Sequence, residues 1–240
     1  MLRGNNHVKS SVAHTEVTWQ RFLPLLIVLA GLWAYHNSFS GPFIFDDRVF
    51  FLEDADVSHL WPAWKTLTGT MRPLTNLSFA INYGLHGLHV VGYHVFNVVV
   101  HLLAALVLFG LVRRTLLCER LRDRYGRSGY WLGLTVALLW VVHPLHTQSV
   151  TFVMQRAESL MGLWYLLTLY CVSRTASSPR PRWWIAGAIA GCTLGMATKS
   201  IMVTAPLVVL LYDRTFMAGS WPQALRMRRG SQAVPVPGWP

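Results

Sequence analysis

Charge is what this sequence has least of. Only 13% of its 240 residues are Asp, Glu, Lys or Arg, about half of the roughly 25% usual in a soluble domain. Apolar residues make up 53% and stand in long runs, which points to lipid as the main solvent and leaves no room for a separate soluble domain. Acidic residues are scarcer still, 10 against 21 basic ones, for a formal net charge of +11. In a soluble chain that balance would suggest nucleic acid. Here the basic residues lie in the gaps between apolar runs. They read as topogenic charges facing a cytoplasm and anionic lipid heads, so no nucleic-acid partner is expected. Cysteine is nearly absent: Cys118, Cys171 and Cys192 are odd in number, scattered and outside any CxxC spacing. That argues against a disulfide framework and makes them small apolar fillers. There is no Walker loop, GxGxxG, GxSxG or HExxH, and no internal repeat, so the common nucleotide, hydrolase and zinc-protease signatures do not apply.

What is present is a set of apolar runs at membrane length. They predict an all-α fold, a polytopic transmembrane bundle of about six spans: 22–39, 93–112, 130–142, 157–172, 183–197 and 201–212. The first run follows Arg3, Lys9 and Arg21 and is longer than a signal-peptide core, with no clear cleavage site, so it reads as an uncleaved span. The third is short and is expected to break at Pro144. The last two are separated only by Thr198, Lys199 and Ser200 and could form one long or re-entrant segment. The chain then divides into a cytoplasmic arm (1–21), a transmembrane domain (22–212) with a long outer loop (40–92), and a cytoplasmic tail (213–240) without helical period. Within the loop, 76–88 alternates apolar and polar residues at helical spacing, which predicts an amphipathic helix lying in the interface.

Loop charges set the orientation. With a cytoplasmic N-terminus and six crossings, 16 of the 21 Lys and Arg residues fall on the cytoplasmic side. This is a strong positive-inside bias. The polar residues able to do chemistry then face the other way: Asp46, Asp47, Arg72, His143, His146, Arg156, Glu158 and Lys199. They come from separate segments whose ends a bundle would bring together, and ionisable groups at membrane depth usually serve a site.

Asp46-Asp47 follows Phe43-Ile44-Phe45. Adjacent carboxylates raise one another's pKa and apolar flanks desolvate them, so one suits a general base and the other an orienting or cation-binding role. Mg or Mn is the candidate cofactor at such a pair, and the competing reading is a helix cap. His94, Asn97 and His101 share one helix face and read as interhelical hydrogen bonding ahead of ligand binding. His143 and His146 lack a third ligand at a zinc spacing. They suit head-group contact. Arg72, Arg156 and Lys199 are candidate phosphate cations. Interfacial anchoring is the plainer alternative for Arg72 and Lys199, and a local salt bridge is the plainer one for Arg156 with Glu158.

The order of FIFDD, RPLTNLSFAINY, GYHVFNVVVHLLAALVLF, HPLHTQSVTFVMQRAESLMGL and the Lys199 turn resembles the N-terminal half of GT-C-type membrane glycosyltransferases. The likeness is greatest to the group whose membrane domain is followed by tetratricopeptide repeats, the protein O-mannosyltransferase-like group. The resemblance covers about residues 20–216. It implies inverting transfer of a sugar, with mannose the leading candidate, from a polyprenyl-phosphate donor to a hydroxyl, often a protein Ser or Thr, on the non-cytoplasmic face. By position it assigns the acidic residue of the first outer loop to Asp46, with Asp47 beside it. The family pattern runs on through more spans and then repeats, whereas 217–240 matches neither, so a truncated product is one expectation and a non-catalytic membrane protein (inactive fragment, assembly factor or transporter) the alternative. A bacterial inner membrane is the expected location.

Overall fold

The computed structural model describes residues 22–49, 51 and 70–218. The expected cytoplasmic arm, the loop stretch 52–69 and the tail beyond 218 lie outside the described residues. Among those described, the structure is helical, without strands. The main helices are α1 (Pro24–Tyr35), α2 (Pro73–His86), α3 (Val90–Leu116), α4 (Glu119–Tyr125), α5 (Gly129–Val141), α6 (Arg156–Thr175), α7 (Pro181–Thr198) and α8 (Ala205–Tyr212). Proline opens α1, α2 and α7 near the first helical position, where its missing N–H would have no partner anyway. Gly87, at φ 56°, closes α2 in a conformation that costs glycine little.

α3 is the central post, packed against α1, α5 and α6, while α7 lies along α6. Ile27 of α1, Val98, Leu102, Ala105 and Phe109 of α3, and Leu134, Ala137 and Val141 of α5 form one buried cluster. A second cluster joins Val100 and Ala104 to Leu160 and Leu163 of α6. The polar face of α3 is spent as its spacing predicts. His94 Nε2 lies 3.0 Å from the Gly41 carbonyl, Asn97 Nδ2 donates to Val150 O at 3.2 Å, and His101 Nε2 lies 3.0 Å from Val141 O. These bonds satisfy carbonyls at segment ends, where helices leave acceptors unpaired.

Outward faces are apolar: Leu25, Leu29 and Trp33 of α1 and Val91, Val95, Val99 and Leu103 of α3 are all exposed. Two helical stretches are long and apolar enough to cross a membrane by length and composition, Val90–Leu116 and Ser200–Met217. The other expected spans fall short of that measure. α1 and α5 have 12 and 13 residues, and α6 is diluted by Arg156, Glu158 and several hydroxyl residues. α5 ends before Pro144, which starts a 3-10 turn. α7 and the final stretch are separate, broken at Lys199, whose φ of −155° and ψ of 136° are extended.

The loop helix α2 departs from the expected interfacial orientation. Its buried side carries Thr75, Ser78, Phe79, Ala80 and Asn82, while Ile81 and Leu85 face out. Its polar stripe is turned inward because buried groups there need it, as described below.

α7 meets neighbouring side chains through a ribbon of glycines at four-residue spacing. A Cβ on Gly187 would lie 3.2 Å from Cys171 Sγ, one on Gly191 2.9 Å from Thr168 Oγ1, and one on Gly195 2.6 Å from Met202 Cγ. Small residues at this spacing let helix backbones approach where lipid supplies no hydrophobic drive. Gly191→Leu is expected to push α6 and α7 apart at a cost of about 1–3 kcal/mol. It should appear as a lower melting temperature in detergent, and an unchanged one would mean that the close approach is not holding the pair.

Candidate functional site

The polar residues singled out in the sequence collect at the end of the bundle opposite the Arg-rich loop of α4. They do not play one role. Phe45 precedes the aspartates with φ 48° and ψ −123°, a conformation costing about 1–3 kcal/mol in a non-glycine residue. Its ring meets Phe152 edge-on at 6.5 Å. The short turn that follows, Asp46–Arg48, sends the two carboxylates opposite ways: Asp46 is exposed and Asp47 is 1% exposed.

Asp47 is a brace. Its Oδ1 accepts from Met154 N–H at 2.7 Å and its Oδ2 from Val153 N–H at 3.1 Å. That docks the first loop onto the 3-10 turn Val153–Gln155 ahead of α6. Burial raises the Asp47 pKa most, the N–H bonds from Met154 and Val153 oppose it, and Asp46 adds a smaller upward push. Asp46 alone of the pair is open to a substrate.

Arg156 is the largest fully buried side chain described, at 0% exposure. Its Nε donates to Asn97 Oδ1 at 2.7 Å, Nη1 to Ser78 O at 3.1 Å and Ser78 Oγ at 3.4 Å, and Nη2 to Tyr93 O at 3.1 Å. The guanidinium also lies over the rings of Phe79, at 4.6 Å, and Phe96, at 4.3 Å. This corrects the reading of Arg156 as a phosphate ligand or as half of a local pair with Glu158: as placed, it offers no surface to a ligand. It ties the start of α6 to α2 and α3, with Ser78 of the inward polar stripe of α2 among its acceptors, while Thr75 and Asn82 of that stripe donate to the carbonyls of Thr198 and Gly92.

Glu158 instead pairs with Lys199, whose ammonium donates to Oε1. Both side chains keep partial exposure, 24% for Lys199 and 38% for Glu158. Arg72 stands close enough that its charge, after burial, lowers the Lys199 pKa. Thr75 Oγ1 donates to Thr198 O at 3.2 Å, which fixes the N-terminus of α2 against the C-terminus of α7. Arg72 and Lys199 thus converge from segments far apart in sequence, and one of the two cations is paired with a carboxylate. Such an arrangement is suited to an anion.

The histidines split as well. His143 is exposed and its Nδ1 accepts from Leu145 N–H at 3.2 Å, capping the Pro144–His146 turn. His146 is half-buried against Trp140, ring centroids 4.3 Å apart. Burial, then His143, lowers its pKa. No three His, Cys, Asp or Glu side chains gather to hold a metal ion among the described residues. With Asp47 committed to backbone N–H groups, the described residues do not by themselves make a Mg or Mn site, since such ions need several oxygen ligands.

An all-helical bundle with apolar outward faces and its polar groups at the ends is a membrane protein in kind. The comparisons narrow this. The chain is 34% identical over 202 residues to "Protein O-mannosyl-transferase Tmtc2" of Drosophila melanogaster, a match covering 75% of this chain and 20% of that protein. It is 34% identical over 209 residues to "Protein O-mannosyl-transferase tmtc2" of Xenopus laevis, covering 79% and 23%, and 33% identical over 171 residues to "Protein O-mannosyl-transferase TMTC4" of Homo sapiens, covering 61% and 22%. Over this stretch the chain is a relative of the protein O-mannosyl-transferases, and the resemblance carried by its motif order is borne out. It spans about a fifth of the length of these relatives. They are animal proteins, which lends the expected bacterial membrane no support. No family model matches the chain, and no solved structure matches it.

Sequence reasoning missed the strained Phe45, for which no local signal exists, and the burial of Arg156, for which Ser78 and Asn97 were the available hints. Arg156→Lys keeps the charge but loses the fork that reaches Asn97, Ser78 and Tyr93 together. The expected loss is about 3 kcal/mol or more of stability, read as a fall in melting temperature and early cleavage of the 143–155 segment by protease. Wild-type resistance in the variant would mean that a single charge, and no fork, suffices there.

Proposed function

We propose that this chain is a multi-pass membrane glycosyltransferase that moves one sugar, mannose in the first instance, from a polyprenyl-phosphate donor to a hydroxyl of a protein acceptor. Its bundle crosses the membrane about six times with the N-terminus cytoplasmic. Asp46, Arg72, Lys199 and Glu158 then face the non-cytoplasmic side, as the positive-inside bias supports. The observation that carries the reading is the convergence of Arg72 and Lys199, whose segments the Thr75 to Thr198 hydrogen bond joins. The printed names of the relatives, protein O-mannosyl-transferases, support the same chemistry.

In this reading the donor phosphate rests on the Arg72 guanidinium and the Lys199 ammonium. The acceptor oxygen attacks the anomeric carbon as the bond from that carbon to the phosphate oxygen breaks. The bonding pair leaves with the phosphate, whose growing charge the two cations stabilise. The acceptor proton passes to the Asp46 carboxylate as general base. Asp47 and Arg156 hold the loop and the start of α6 so that these groups meet. His143 and His146 contact the head group from the adjoining turn.

The test is transfer of mannose from polyprenyl-phosphate mannose to a Ser/Thr peptide by the chain in lipid nanodiscs. Asp46→Asn is expected to lower kcat by about 10²-fold or more, with little change in KM for the lipid. Arg72→Ala with Lys199→Ala is expected to raise that KM instead. Equal rates for wild type and Asp46→Asn would remove Asp46 as the base, and an unchanged KM in the double variant would remove the cations as the phosphate site.

A further inference from the structure

The end of the bundle opposite the loop site carries a group of arginines, and they divide by exposure. Arg120, Arg122, Arg124, Arg180 and Arg182 are exposed, as charges that orient a membrane chain need to be. Arg114, in the last turn of α3, and Arg174, in the last turn of α6, are half-buried. Arg114 Nη2 donates to the Ser173 carbonyl at 3.5 Å and to Ser177 Oγ. That sets it against the end of α6 beside Arg174, whose charge acts on it together with that of Arg113.

Helix ends account for one arginine each, since a cation offsets the negative end of the helix dipole. They do not account for two brought together without a counter-ion. Among the described residues no carboxylate pairs with Arg114 or Arg174. The Nε atoms of both are buried and have no hydrogen-bond partner, so part of each donor fork is unspent. The pair is nonetheless held in place. The Arg174 guanidinium lies over the Trp184 ring at 4.7 Å. Trp184 Nε1 donates to Ser178 Oγ at 3.0 Å, and Tyr170 meets the same indole edge-on at 6.1 Å. Thr115, next to Arg114, shares a hydrogen bond of 2.6 Å with the Tyr212 hydroxyl of α8. Two fixed guanidinium groups with repelling charges and unspent donors make a receptor for an anion with several oxygens.

We infer that Arg114 and Arg174 form a binding site for the phosphate of an anionic membrane lipid, one whose headgroup carries no ammonium of its own. The inference is independent of sugar transfer and needs only the membrane setting of the bundle. Depth favours a lipid over a phosphate from solution. Trp183, beside Trp184 at the start of α7, is 75% exposed, and Ile185 and Ile189 follow it on the exposed surface. Tryptophan at the start of an apolar helix marks the level of the headgroups, where lipid phosphates are the abundant anions. Charge selects among them. A phosphate that brings its own cation gains least from two guanidinium groups, and one without gains most. A phosphate so held bridges α3 to α6 at this end, as Arg156 bridges them at the other.

The test titrates the full chain in detergent with dioctanoyl phosphatidic acid, dioctanoyl phosphatidylcholine and inorganic phosphate, and counts bound molecules by native mass spectrometry. Wild type is expected to take up phosphatidic acid at a concentration about tenfold or more below that needed for phosphatidylcholine, the scale of hydrogen bonds to a charged group. Arg114→Gln with Arg174→Gln is expected to lose that preference. Arg122→Gln with Arg124→Gln, which lowers the net charge equally, is expected to keep it. Phosphatidic acid should also raise the melting temperature of wild type and leave that of the Arg114/Arg174 variant unchanged. Arg174→Gln alone, which keeps Arg114 and its serine contacts, should lose most of the preference and carries the comparison if the double variant does not fold. Equal uptake of the two lipids by wild type would overturn the inference. An equal loss in both double variants would overturn it in favour of a diffuse attraction to the basic surface. Inorganic phosphate bound as tightly as phosphatidic acid would overturn the lipid and leave a site for soluble phosphate.

Discussion

The guanidinium of Arg156 is the constraint on which the loop end depends. A charge at 0% exposure is tolerated only where hydrogen bonds replace its water. Here the bonds come from Ser78 of α2 and from Tyr93 and Asn97 of α3, and aromatic faces of Phe79, Tyr93 and Phe96 close over the rest. No single helix could supply this set. Three helices are therefore fixed to one point, and their ends inherit the registration: Arg72 opens α2, Glu158 follows Arg156 by half a turn, and the turn that Asp47 grips leads directly into Arg156.

The two adjacent aspartates show how one sequence motif is divided by structure. Side by side in an extended chain they would be equivalent. The strained backbone at Phe45 and the turn after it point one carboxylate into backbone N–H groups and the other to solvent. Asp47 can orient but cannot accept a substrate's proton without giving up the loop. Asp46 carries no such load. The sequence pair alone supports either order of roles, and only the direction of each side chain separates them.

The limits of sequence reading have the same origin. Helices and the break near Pro144 were legible because local chemistry decides them. The spacing of His94, Asn97 and His101 gave their interhelical role because period alone puts them on one face. The inward polar stripe of α2 was not legible, since amphipathicity reads as polar-out until a buried group demands the reverse. Arg156 was misplaced for that reason: at the start of an apolar run it reads as interfacial, and its acceptors lie on two other helices. Convergence of Arg72 with Lys199 was anticipated only in outline, from the argument that bundle ends meet.

The remaining step concerns charge balance at that meeting point. Lys199 is paired with Glu158, and Arg72 is the second cation near it. The pair is partly exposed, so water screens it and separating it costs little. A phosphate brings more negative charge than one carboxylate and can engage both cations at once. It therefore competes with Glu158 for the ammonium. In the proposed reading Glu158 is thus the counter-ion that holds the Lys199 ammonium at the loop end until a phosphate takes its place.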